Sequence, residues 1–354
     1  MTKSLSLKSG ILAAFGILAL SGPATTTGAE AAEVVNLYSY RQPFLIDPVL
    51  ERFTAKTGIK VNSVYVKKGM LEKIKAAGAN NPADVVLTVD VGRLDELRAA
   101  DVFDPVQSDV LNANIPAHLR HPDGLWFALT TRARVALVSK DRVKPGELTS
   151  IADLADLKFK GRICVRSGKH GYNIALIASV IAHDGEAAAE KWLRGLKANL
   201  ARKPQGNDRA QSKAIYEGIC DVAISNTYYM GLMMTNDKKP EQKQWAAAVR
   251  LTYLDQDNGR GQHVNVSGAG VLKGAKHRAA AIKLLEFLSG DEAQRIYAEH
   301  NYEYPVKPGV PFSQLVQSWG SFKIDTLSVQ EIAKYRPAAS KLVDKVRFND
   351  GPNS

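Results

Sequence analysis

The chain has little sulfur and few histidines. Two cysteines, Cys164 and Cys220, and seven histidines occur in 354 residues. No cysteine or histidine pair has zinc-ligand spacing, which excludes the common zinc motifs. There is no Gly-x-Ser-x-Gly elbow, zinc triad or evident pair of carboxylates, so the usual hydrolase signatures are missing. Arginine-aromatic interleaving and RNA-binding signatures are absent, and no nucleic-acid partner is expected. No apolar run is long enough to span a bilayer, the one within the first twenty residues included. No internal repeat is found.

Residues Met1 to Ala31 have the make-up of a cleavable secretory leader. Lys3 and Lys8 supply the positive start, Ile11 to Leu20 the apolar middle, and Ala29-Glu30-Ala31 a small-x-small cleavage site. The mature chain is expected to begin at Ala32, exported and soluble. No cysteine lies near the cleavage site, so no lipid anchor is expected there. The formal charge of +11 falls by one with the leader. That basicity suits general solubility, and also an anionic ligand. An oxidising compartment permits a disulfide between Cys164 and Cys220, or leaves two buried thiols.

The pattern after Ala32 reads as α/β. Val34–Tyr40 is a strand, and Ile46, Val49, Leu50 and Phe53 follow helical spacing up to Gly58. Ile59–Tyr65, Met70–Ala77, Asp84–Val89 and Gly92–Ala100 continue a β-α-β-α series. Trp126–Thr130 and Arg132–Val138 are extended. Ser150 caps a predicted helix ending near Leu157. A second α/β lobe follows, with strands Arg162–Arg166 and Ile219–Ile224 and helices Ile174–Ala182, Ala187–Leu196 and Asp208–Glu217. Val249–Tyr253 and His263–Val266 are extended, and helices are predicted over Arg278–Ser289 and Asp291–His300. Residues Pro311–Ser354 are mostly helical. Two lobes with strand crossings near Thr130 and His263 close around a ligand by hinge motion. A single large open sheet is the alternative.

Tyr228 and Tyr229 sit where an apolar strand gives way to a helix. In α/β sheets that edge holds ligands. Tyr172 occupies the same kind of position, after the loop Ser167-Gly168-Lys169-His170-Gly171. Three convergent phenols suit a hard, highly charged cation. A trivalent metal can displace the phenolic proton, and three phenolates neutralise Fe(III). Ferric iron takes about six ligands, so a small oxyanion has room to bind. Arg132 and Arg134 share one strand face with Thr130, and Arg41 and Gln42 lie at the end of the first strand. An arginine fork matches a planar carbonate or carboxylate. His170 reads as a loop residue, and Tyr38 and Tyr40 read first as strand packing, one of them able to face the cleft.

Six segments run in order along the mature chain: Tyr38-Ser39-Tyr40-Arg41-Gln42-Pro43-Phe44; Thr88-Val89-Asp90; Thr130 to Val135; Val165 to Lys169 with Tyr172-Asn173; Ala201 to Gly206; and Ser225-Asn226-Thr227-Tyr228-Tyr229. The chain resembles the periplasmic ferric-ion-binding proteins that serve ABC iron importers, members of the extracellular solute-binding proteins. The resemblance implies an α/β, two-lobed (type II) periplasmic-binding-protein fold with strand hinges and an interlobe cleft. It implies Fe(III) bound by Tyr172, Tyr228 and Tyr229, and delivery to an inner-membrane permease by a monomer that is not an enzyme. Many relatives carry a histidine, often followed by tyrosine, after the first strand. Gln42-Pro43 stands there instead, which matches the subset using three tyrosines with a synergistic anion such as carbonate or bicarbonate. Arg41, Gln42 and Arg132 are the anion candidates, with Arg134, Asp90, Tyr40, Asn226 and Thr130 behind them. The lobes are expected as 32–130 with 263–306, and 131–262 with 307–354, after a leader over 1–31. The rival readings are a carrier of a small anion or polyamine without metal, and an exported enzyme using a cleft tyrosine.

Overall fold

The computed structural model describes residues 33–257 and 259–352. The expected leader lies outside them. The opening follows the predicted alternation: β1 (Val34–Ser39), α1 (Pro43–Thr57), β2 (Lys60–Tyr65), α2 (Met70–Ala77), β3 (Val85–Thr88) and α3 (Val91–Ala99). Helix α1 shows why. Pro43 starts it with a fixed φ and no N–H to leave unpaired. Ile46, Val49, Leu50 and Phe53 form one buried stripe, and Gly58 at φ 74° closes it in the left-handed region. Strand β1 pairs in parallel with β2 on one side and β3 on the other.

After α4 (Asp109–Asn114) comes β4 (Phe127–Ser139), buried along all 13 residues. Then follow β5 (Ile163–Cys164), α5 (Gly171–Asp184), α6 (Glu186–Ala198), α7 (Asp208–Tyr216), β6 (Val222–Asn226) and α8 (Thr227–Met234). The chain continues through α9 (Glu241–Ala247), β7 (Val249–Thr252), β8 (Val264–Val271), α10 (Arg278–Ser289), α11 (Asp291–Asn301) and β9 (Tyr304–Pro305). It ends in α12 (Gln314–Gln317), α13 (Val329–Lys334) and α14 (Arg336–Lys345).

Strand β4 joins two sheets. Its first half, Phe127 to Ala133, pairs antiparallel with β8, and its second half pairs with β6 and β7. The pairing slips between Ala128 and Thr130, where an irregularity lets a strand bend. The strand order is β2-β1-β3-β8-β4-β6-β5. The two extended stretches expected on either side of Thr131 are thus one strand. One apolar core lies around β1, β3, β8, α1 and α10, and includes Phe53, Leu87 and Leu285. A second lies under α5, α6 and α14, with Phe159, Leu193 and Phe348. A third fills the other face of β4, with Met233, Val249 and Tyr304.

Three local readings change. The helix expected from Ser150 to Leu157 is a pair of 3-10 turns, at Ala152–Ala155 and Leu157–Phe159. The Asp153 carboxylate accepts from the N–H groups of Thr149 and Ser150, so local side-chain bonds compete with the helix. The strand expected over Arg162–Arg166 shrinks to β5, because Gln205 N–H takes the Val165 carbonyl. The strand expected over Ile219–Ile224 moves forward to β6 and runs into α8. Cys164 and Cys220 are joined in a disulfide, which ties β5 to the segment before β6. Among the described residues no helix is long and apolar enough to cross a membrane.

Candidate functional site

Two strand-to-helix junctions build the site. Strand β6 ends at Asn226, whose extended backbone turns the chain into α8, so Tyr228 and Tyr229 lie in that helix's first turn. At the other junction His170 caps α5 by accepting from the Tyr172 N–H at 3.3 Å, and Tyr172 lies in the first turn of α5. Helix N-termini carry partial positive charge and favour anionic groups nearby. The Tyr172 and Tyr228 hydroxyls are 3.1 Å apart, and the Tyr228 and Tyr229 ring centroids 4.3 Å.

All three tyrosines line one solvent-open cavity of about 140 Å³. Tyr40, Arg41, Gln42 and Arg132 line it too. Arg41 is buried and paired with Glu303 at 2.6 Å, and it donates to Ser267 at 2.7 Å and Thr130 at 3.2 Å. Arg132 donates to the same Ser267 hydroxyl at 3.0 Å and to the Val89 carbonyl. Ser267 therefore sets both guanidinium groups. Among the described residues no carboxylate pairs with Arg132, so its charge is left for a ligand. Gln42 is exposed at the rim beside Phe44.

Arg134, Asp90, Thr130 and Asn226 stand outside the lining. Arg134 is buried against Asp208 at 2.8 Å, Asn226 at 3.1 Å and Asn173 at 2.7 Å. Arg166 joins the other oxygen of Asp208 at 2.7 Å. Asp90 caps α3, accepts from Asn265 and pairs with Arg336 at 3.1 Å. Thr130 is spent on Arg41 and Asn226 on Arg134. Tyr40 accepts from the Met70 N–H at 3.0 Å, and the Arg93 guanidinium lies 3.8 Å from its ring centroid.

Two charged lining residues, Arg209 and Glu303, were not anticipated. Arg209 sits 4.9 Å from the Tyr229 ring centroid, and its buried Nε has no hydrogen-bond partner among the described residues. It is the second residue of α7, which Asn207 caps, so it too lies in a helix's first turn. Glu303 arrives from the far end of α11, and only long-range topology brings it to Arg41.

Burial, then the neighbouring Tyr172, raises the Tyr228 phenol well above its ordinary value. The same causes push Tyr229 up to about 12. Arg132 opposes the rise at Tyr228, and Arg166 at Tyr229. These two phenols are protonated at neutral pH until a cation displaces the protons. Burial and then Arg166 and Arg134 hold His170 down to about 4, so its ring is neutral. Among the described residues no group of three or more His, Cys, Asp or Glu is arranged to hold a metal.

The profile of the bacterial extracellular solute-binding protein family matches residues 38–295. Iron uptake protein A1 of Synechocystis sp. is 45% identical over 324 residues, which cover 91% of this chain and 89% of that protein. The major ferric iron-binding protein of Neisseria meningitidis is 29% identical over 298 residues, covering 82% of this chain and 86% of that one. The structure of apo ferric ion-binding protein A from Pasteurella haemolytica matches with a TM-score of 0.85 at 49% identity, over 90% of this chain and 99% of that chain. A Trichodesmium protein solved with iron and citrate ligands matches with a TM-score of 0.85 at 45% identity, over 89% and 99%. The architecture is the two-lobed, type II periplasmic-binding-protein fold. The chain belongs to the bacterial extracellular solute-binding proteins, and among them it stands with the iron uptake and ferric-ion-binding proteins.

Proposed function

We propose that the chain is the periplasmic Fe(III)-binding component of an ABC transporter, which holds the ion through Tyr172, Tyr228 and Tyr229. The observation that carries the reading is the meeting of the three phenols in one cavity, with the Tyr172 and Tyr228 hydroxyls 3.1 Å apart. The ion displaces the phenolic protons, and three phenolates balance its charge. A carbonate-like anion fills open positions beside Arg132. Gln42 supports it at the rim, and Arg41 supports it from behind through Ser267. Iron is cargo here; nothing in the reading calls for a bond made or broken by the protein.

In this reading the described residues up to 130 with 263–306 are one lobe, and those of 131–262 with 307–352 are the other. Arg336 to Asp90 at 3.1 Å and the Tyr302 hydroxyl to Thr235 at 3.0 Å then join the lobes across the cleft. The closed monomer is the form that docks on the inner-membrane permease. A polyamine fits poorly beside so many guanidinium groups. Elemental analysis of the exported protein should find one iron per chain, and titration with Fe(III) should tighten when bicarbonate is added. Tight binding of an anion without iron would favour the metal-free carrier instead. Turnover of any ligand would favour the enzyme.

A further inference from the structure

Arg336 opens α14 and reaches between two turns that wall the tyrosine cavity. Its guanidinium donates to the Gly171 carbonyl at 3.3 Å and pairs with the Asp90 carboxylate at 3.1 Å. Gly171 precedes Tyr172, and Asp90 follows Val89; Tyr172 and Val89 both line the cavity. The Val89 carbonyl also takes Arg132. One side chain thus ties the two walls together, a single residue back from each. In the reading above these walls belong to different lobes.

Helix α14 packs Ala339, Leu342 and Val343 into the core that also takes Ile174 and Ile177 of α5. Arg336 is therefore mounted against the helix that carries Tyr172. Asp90 keeps its place without α14. One of its oxygens accepts from the Gly92 N–H at 2.9 Å, the other from Asn265 at 2.8 Å. When the pair parts, Asp90 retains these bonds and Arg336 retains Gly171. Neither side is then left as a bare buried charge, which is the costly case. The Arg336 side chain is 18% exposed, so water reaches it as the pair opens. These are the properties of a contact that can form and break.

Gly92 supplies the space. A Cβ built there would overlap the Arg336 guanidinium. Gly92 is the second residue of α3, and its φ is not positive. Alanine would suit that helix better than glycine does. The missing side chain answers to Arg336 and not to the backbone of α3.

Resting on the iron reading above and its division into lobes, we propose that Arg336 is a positioning residue that holds the cleft shut over the ion, seated in a slot that Gly92 keeps open. It acts through the turns beside Tyr172 and Val89 and does not ligate the ion. It governs how long iron stays and not how fast it arrives, because a hydrogen-bonded charge pair inside an interface acts on departure.

The test follows labelled Fe(III), supplied with bicarbonate, into the protein and then out of it to excess EDTA. It uses the wild type, Arg336→Ala, Arg336→Lys, Gly92→Ala and the double variant Arg336→Ala/Gly92→Ala. Release should be about tenfold faster in Arg336→Ala and in Gly92→Ala, the scale of one half-buried ion pair. Uptake should stay within about twofold of wild type. Arg336→Lys should recover part of the lost retention. The double variant should release iron no faster than Arg336→Ala alone, because the added methyl then displaces nothing. Release unchanged in Gly92→Ala, or losses that multiply in the double variant, would overturn the proposal. So would uptake slowed as much as release is quickened. A wild type that takes up no Fe(III) would instead defeat the iron reading itself.

Discussion

Iron binding should be steeply dependent on pH. Tyr229 is pushed up to about 12 in the metal-free protein, and Tyr228 is raised well above its ordinary value. The ion binds the deprotonated phenols, so binding releases protons and is lost as pH falls. One proton per unit of pH is worth about 1.4 kcal/mol. Displacing three protons costs about 4 kcal/mol, or roughly a thousandfold in affinity, for each unit by which pH falls. Calorimetry in two buffers of different ionisation enthalpy counts the released protons. Iron is supplied from a chelator of known protonation, whose own share is subtracted. The count should be near three for the wild type and near two for Tyr228→Phe and Tyr229→Phe. A count of one or less, or one unaltered in both variants, would refute the reasoning.

Other parts of the structure make separate predictions. The disulfide spans 56 residues of sequence, and removing it in Cys164→Ala/Cys220→Ala should lower unfolding free energy by about 2–4 kcal/mol, measured by urea denaturation; an unchanged midpoint would contradict this. Asp208→Asn strips the carboxylate shared by Arg134 and Arg166, and should cost about 3–5 kcal/mol as two buried cations lose their partner; a thermal melt within a degree of wild type would count against it. A Cβ built on Gly231 would stand 2.3 Å from the Tyr302 ring. Gly231→Leu should therefore wedge α8 away from that ring and enlarge the iron-loaded protein in X-ray scattering, and an unchanged radius would dismiss the wedge.

Much of the fold was legible because it is local. The stripe Ile46, Val49, Leu50 and Phe53 and the stop at Gly58 define α1 with no reference to the rest of the chain. The tyrosine positions were legible for a related reason, since strand-to-helix edges are visible as a change of periodicity. What stayed hidden depends on distant partners. Thr130, Arg132 and Arg134 alternate on β4, yet only Arg132 lines the cavity, because Asp208 and Asn226 draw Arg134 elsewhere. Arg41 was expected to face an anion, but Glu303, 262 residues away, takes its charge. That β4 is one strand shared by two sheets could not be read from segments that each pair with different neighbours.

The account stands on phenolate oxygens holding the ion, and the visible spectrum of the iron-loaded protein tests this most directly. Wild type should show a phenolate-to-iron charge-transfer band that fades in Tyr172→Phe, Tyr228→Phe and Tyr229→Phe. Iron bound with no such band, or a band of full strength in all three variants, would contradict it.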